Sequence, residues 1–141
     1  MSKTNKTARD VVILGSARTA QGKFLGGLAG LSAAELGSVA VKGALERSGV
    51  NAAEISEMLI GNVVSAGVGQ ALPRQIGMKA GLPEQVGGST INKVCGSSLK
   101  AVMLGANAIK AEDGELYITG GVESMSRAPY LNDSIRSGNK Y

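Results

Sequence analysis

Short, unbroken apolar runs separated by stretches of helical spacing constrain this chain more than any other feature. Val11-Val12-Ile13-Leu14 is a run of this kind, and Met58 to Val64, interrupted by Asn62, and Leu116-Tyr117-Ile118-Thr119 read as further strands. Apolar stretches without polar alternation are the pattern of strands buried on both faces, as in a parallel sheet. Ser89-Thr90-Ile91 is a shorter strand candidate. Between the runs, Ser32 with Glu35 forms a capping box. It predicts a helix with Leu36, Val39, Ala40, Gly43 and Ala44 on one face and Gly49 as its stop. Asn51 with Glu54 predicts a second, shorter helix start. Gln70 to Lys79 reads as helical, with Pro73 tolerated in the first turn and Gly81 ending it. Gly96 to Lys110 is apolar nearly all round, which predicts a helix buried among other elements, and Gly114 follows it as a stop. Strands alternating with helices give the class: α/β, with helices covering a mostly parallel sheet.

Composition narrows the function. The 141 residues suffice for one domain with a core. Glycine is abundant at 21 residues while Tyr, Phe and Trp total 3%, so the interior must rely on close backbone approach rather than aromatic bulk. The net charge of +4 comes from scattered residues, with Lys3, Lys6 and Arg9 near one end and Arg127, Arg136 and Lys140 near the other. No basic stripe interleaved with aromatics exists, so a nucleic-acid partner is not expected. The mild positive balance suits a phosphorylated small molecule. A single cysteine excludes an intramolecular disulfide, and neither a signal peptide nor a membrane-spanning segment is legible. The expectation is a cytoplasmic protein with a flexible tail over residues 1–9, polar and loop-like again from Ser124 onward.

The glycines do not form a nucleotide motif. Gly67-Val68-Gly69 has Leu72 where a dinucleotide fingerprint needs a third glycine, and Phe24 follows Gly22-Lys23 where a P-loop needs a hydroxyl. Cys95 is the serious chemical candidate. It stands where a strand runs into the apolar helix, with Gly96, Ser97 and Ser98 in the first turn. Unpaired amides and the helix dipole place partial positive charge there, which favours a thiolate. The backbone N–H groups, that of Cys95 included, are also candidate donors to a developing oxyanion. The geometry expected is that of a nucleophile elbow with cysteine in place of serine. A lone cysteine is otherwise an inert core residue. Histidine, the usual partner of such a thiol, is absent from the sequence. Glu84, Glu112, Asp113, Glu115 and Glu123 have no catalytic spacing and read as solvated surface charges. No metal-ligand pattern exists.

Thr90-Ile91-Asn92-Lys93-Val94-Cys95-Gly96-Ser97-Ser98-Leu99-Lys100-Ala101 closely resembles the active-site cysteine segment of the thiolase family. Gly120-Gly121-Val122-Glu123-Ser124-Met125-Ser126, with Ala128-Pro129-Tyr130 behind it, resembles a second family segment. Ser16-Ala17-Arg18-Thr19, Gly61-Asn62-Val63, Gly69-Gln70, Arg74 and Gly81-Leu82-Pro83 match in the same order. The resemblance implies a thiolase-like layered fold. Residues 10–123 would form an N-terminal core half, and residues 124–141 the start of a loop or lid region. It implies that Cys95 is acylated by an acyl-CoA and that a second acyl-CoA attacks the acyl-enzyme to give 3-ketoacyl-CoA, most simply acetoacetyl-CoA from two acetyl-CoA. Coenzyme A would be a substrate and no cofactor would be held permanently. The family's histidine and second cysteine lie on C-terminal motifs absent here, so a further segment or second chain is expected to supply them. Homo-oligomerisation through the N-terminal core is also implied. A non-catalytic thiolase-like subunit that binds acyl-CoA or scaffolds a partner is the competing reading. A ketoacyl-synthase-like relative is disfavoured by the Gly-Gly-x-Glu-Ser-Met-Ser run. Ser98 stands where the family commonly has glycine, which tightens the space at the helix start.

Overall fold

The structure is a computed structural model that describes residues 9–138. The expected tail lies outside the described residues except for Arg9, whose guanidinium donates to Glu115 at 2.7 Å. Among the described residues, three α-helices and three strands build the fold: α1 (Ala33–Ser48), β1 (Glu57–Gly61), α2 (Leu72–Ala80), β2 (Gly87–Ile91), α3 (Ser97–Lys110) and β3 (Tyr117–Gly121). The strands form one parallel sheet in the order β2-β1-β3, Glu57 aligning with Gly87 on one side and Tyr117 on the other. The central strand, β1, is buried from Met58 to Gly61.

Alternation along β1 divides the molecule into layers. Met58 and Ile60 join Ala33, Ala34, Val41, Leu72, Ile76, Leu82 and Val86 in one apolar core between the sheet and the α1–α2 pair. Gly61, with Gly105 of α3 lying against Thr119, marks the opposite face, where α3 packs on β1 and β3.

Helix ends follow the chemistry of their residues. Ser32 Oγ accepts from the Glu35 amide at 3.2 Å and the Glu35 carboxylate accepts from the Ser32 amide at 2.8 Å, closing the capping box. Gly49 ends α1 with φ 67°, and Gly81 ends α2 with φ 87°. Asn51 caps only a single 3₁₀ turn, Ala52–Glu54.

Three expectations change. The buried face of α1 is Ala33, Ala34, Gly37, Ser38 and Val41, whereas Val39 is exposed. Small residues win because α2 comes so close that a Cβ on Gly37 would stand 2.5 Å from Ile76 Cδ1. Next, Val11 to Leu14 is not a strand. It pairs with no described strand, and Val12 and Ile13 are 69% and 82% exposed. The segment runs beside β3 across a hollow of about 390 Å³ lined by the end of α1, α3 and β3. An apolar run becomes a strand only when a partner edge satisfies its amides and carbonyls. Finally, α3 is buried on one face only: Ala101 and Gly105 are covered, while Leu99, Val102 and Met103 face outward.

Glu35 is held below the ordinary carboxylate range, first by the hydroxyl of Ser32 and then by its backbone amide. A depressed folded-state value means the cap contributes fully above the unfolded value of about 4.3 and is lost as pH falls below it. Glu35→Gln should flatten that part of the stability–pH profile, as measured by urea melts between pH 3 and 7. The apolar outer face of α3 should make the 141-residue chain associate in isolation. Leu99→Lys with Met103→Lys should reduce that association in sedimentation, and a clean monomer without substitution would contradict it.

Candidate active site at the start of the third helix

The carboxyl ends of the parallel strands, where α/β proteins commonly bind ligands, meet the start of α3. Gly61 and Gly121 are register partners at these ends. A Cβ on Gly61 would stand 2.6 Å from the Ser98 nitrogen and 2.7 Å from the Ser97 carbonyl carbon. A Cβ on Gly121 would stand 2.7 Å from Ser98 Cβ. Glycine is required at Gly61 because helix backbone rests directly on it, and at Gly121 because the Ser98 side chain does. Ser98 itself is the side chain lying over Gly121.

The turn before α3 presents Cys95 outward. Val94 adopts φ 49°, a left-handed conformation that costs a β-branched residue about 1–3 kcal/mol. Surrounding bonds impose it. The Asn92 side chain accepts from the Val94 amide at 3.0 Å, and the Gly96 amide donates to Lys93 O at 3.0 Å. Ser97 is buried, and its hydroxyl accepts from the Lys93 amide at 2.8 Å while donating to Val94 O at 2.6 Å. The Ser97 amide also donates to Val94 O, at 3.1 Å. The first-turn amides of Gly96 and Ser97 are thus occupied inside the turn. Cys95 itself is bridge-paired with Lys93, and its amide, at the mouth of the turn, is a candidate oxyanion donor.

Cys95 opens onto a cleft of about 430 Å³ lined by Gly61–Val64, Val94, Ser97, Ser98, Gly121–Glu123 and Met125. Its walls are mostly apolar and small. Lys93 is exposed and is assigned no role. Among the described residues, no group of three or more Cys, Asp or Glu side chains could hold a metal ion, and no helix is long and apolar enough to cross a membrane.

Of the carboxylates expected to be solvated, Glu123 is not. It is half-buried and accepts from the Val63 and Val64 amides at 3.0 and 3.2 Å and from the Asn62 side-chain amide. Its neighbours fasten the glycine-rich loop to the end of β3. Ser124 donates to Leu31 O at 2.7 Å, Ser126 accepts from the Leu25 amide at 2.9 Å, and Arg127 donates to Gly30 O at 3.3 Å. The only early signal of these roles is the density of polar residues directly after a strand-ending Gly-Gly pair.

The model for the thiolase N-terminal domain matches residues 11–141. The chain belongs to the thiolase family. An acetyl-CoA acetyltransferase of Cupriavidus necator is 56% identical over 129 residues, covering 92% of this chain and 33% of that protein. One from Pseudomonas aeruginosa is 48% identical, again over 92% of this chain and 33% of the relative. Among solved structures, the Acat5 thiolase of Ascaris suum in complex with coenzyme A superposes with a TM-score of 0.85 at 43% identity. That match covers 89% of this chain and 33% of the other. The chain therefore spans about a third of the length of these thiolases.

Gly61→Ala should destabilise this thiolase segment by about 1–3 kcal/mol, since the added methyl meets helix backbone that cannot rotate away. Gly120→Ala, where a Cβ would meet nothing within 4 Å, should stay within about 0.5 kcal/mol. Paired urea melts decide it, and equal effects would show that the α3 contact is not tight.

Proposed function

We propose that Cys95 is the acyl-accepting nucleophile of a thiolase that forms or cleaves 3-ketoacyl-CoA, most simply acetoacetyl-CoA. The observation that carries this reading is an exposed thiol on a strained elbow at a helix start, beside a cleft, within a family-matched segment. The names of the similar enzymes, acetyl-CoA acetyltransferases, supply the substrate class. The complex of the Ascaris thiolase with coenzyme A supports an acyl-CoA as ligand.

In this mechanism the Cys95 thiolate attacks the thioester carbonyl. The carbonyl π electrons move to oxygen, where the Cys95 amide and the positive end of α3 stabilise them. Collapse breaks the bond to coenzyme A, which leaves as a thiolate and is protonated, and the acyl group remains on Cys95. A second acyl-CoA loses an α-proton to a base, and its carbanion attacks the acyl-cysteine and expels the Cys95 thiolate. Thiolysis runs the same steps backwards. The chain has no histidine and no second cysteine, so the base that takes the α-proton comes from a further segment or a second chain carrying the C-terminal half. In that division of labour, residues 10–123 are the core half bearing the nucleophile and residues 124–141 begin the lid.

The outer edge of β2 has no strand beside it among the described residues and suits pairing between copies through this core. A single exposed cysteine that must stay reduced to act suits the cytoplasm.

In the complete assembly, Cys95→Ala should lower acetyl incorporation from labelled acetyl-CoA by at least about three orders of magnitude. Labelling of the variant at an undiminished rate would remove the nucleophile assignment. Binding of acetyl-CoA by the unsubstituted assembly without any covalent transfer would instead favour a non-catalytic acyl-CoA-binding subunit.

A further inference from the structure

We propose that Glu123 is a positioning residue for acyl transfer: its carboxylate clamps the Asn62–Val64 loop as one wall of the Cys95 cleft. The proposal rests on Cys95 being the acyl acceptor and adds a residue that acts through the cleft wall rather than on the reacting atoms.

Both carboxylate oxygens are engaged. Oε2 accepts from the Val63 amide at 3.0 Å, and Oε1 accepts from the Val64 amide at 3.2 Å and from Asn62 Nδ2. All three donors belong to the loop that follows β1, and all three residues line the cleft with Cys95. Asn62 is 2% exposed. Its Nδ2 faces two acceptors, Glu123 and Val122 O at 3.0 Å, which fixes the orientation of the amide. Its backbone amide donates to Ile91 O at 3.0 Å, and the Val122 amide donates to Gly61 O at 3.0 Å. The ends of all three strands are therefore tied together at Asn62 and Glu123, one residue before the Asn92–Cys95 turn begins.

The chemistry of this knot demands a carboxylate. Three N–H donors converge on one side chain, and a neutral amide would offer one acceptor oxygen while turning its own N–H₂ towards donors. Asn62 Oδ1 is buried and has no partner among the described residues. An unsatisfied oxygen beside the cleft is a cost tolerated where a functional wall must be held.

The test uses the complete thiolase containing this segment, compared with its Glu123→Gln and Glu123→Asp variants. Three rates are read: hydrogen exchange of the Val63 and Val64 amides, alkylation of Cys95 by iodoacetamide, and acetyl transfer from acetyl-CoA to Cys95. Glu123→Gln should exchange both amides about tenfold faster or more, and slow acetyl transfer by a similar factor. Alkylation, which needs no shaped wall, should stay within about twofold, the scale of a few tenths of a free-energy step. Glu123→Asp, which keeps the charge and shortens the reach, should fall between, and it carries the same comparison if Glu123→Gln does not fold. Unchanged exchange at Val63 and Val64, unchanged acetyl transfer, or equal losses of alkylation and transfer would each overturn the positioning role. Failure of the unsubstituted enzyme to accept acetyl while Cys95 still alkylates would instead remove the acyl-acceptor reading on which the proposal stands.

Discussion

The contact of the start of α3 with two glycines at the ends of β1 and β3 sets everything around the cleft. A helix normally stands off a sheet by the length of interlocking side chains. Here Gly61 and Gly121 remove that spacer at one end, so the start of α3 drops onto the strands. Gly105 against Thr119 lets the rest of the helix follow. The elbow before α3 then has little room. The chain leaves β2 and must enter a helix pinned close to the sheet, and Val94 is driven into a left-handed conformation to do so. Ser97 holds that conformation by bonding back to Lys93 and Val94. Cys95 projects outward because its neighbours on both sides are fixed by these bonds.

Polar residues after the Gly120-Gly121 pair complete the same region from the other side. Glu123 gathers the loop after β1, and Ser124, Ser126 and Arg127 gather the glycine-rich loop and its end. Four neighbouring side chains thus join segments distant in sequence, and Glu123 among them lines the Cys95 cleft. The energetic reasoning is simple: loops of small residues have little apolar area to bury, so hydrogen bonds to charged and hydroxyl groups must order them.

Much of this was legible in the sequence because local chemistry decides it. The capping box at Ser32 and Glu35, the glycine stops at Gly49 and Gly81, and the apolar runs of β1 and β3 follow from the residues themselves. Cys95 at a strand-to-helix junction was legible for the same reason. What escaped depends on partners. Val11 to Leu14 has strand composition, but pairing is a property of two segments, and composition describes one. Apolar bulk points to Leu36 and Val39 as the inner face of α1, whereas close approach to Ile76 selects Gly37. Glu123 reads as solvated from sequence because nothing local announces that three donors from a distant loop will converge on it. The helix after Cys95 is apolar enough to need more cover than this chain supplies, and within the described residues the cover reaches only the side towards the sheet.

The parallel order of the strands also dictates when the core can close. β1 lies in the middle, yet both of its neighbours come later in the chain, first β2 and then β3. No hairpin can shelter it in the meantime, because parallel neighbours are reached only through helical crossovers. During synthesis the most apolar strand therefore emerges with two open edges and gains its second partner only after α3 has been made. Since α3 also carries the apolar stripe of Leu99, Val102 and Met103, the step that finally seals β1 is the one that presents a new adhesive surface. Folding of this segment passes its exposure on from the strand to the helix, and what determines productive assembly is how quickly that helix face finds cover.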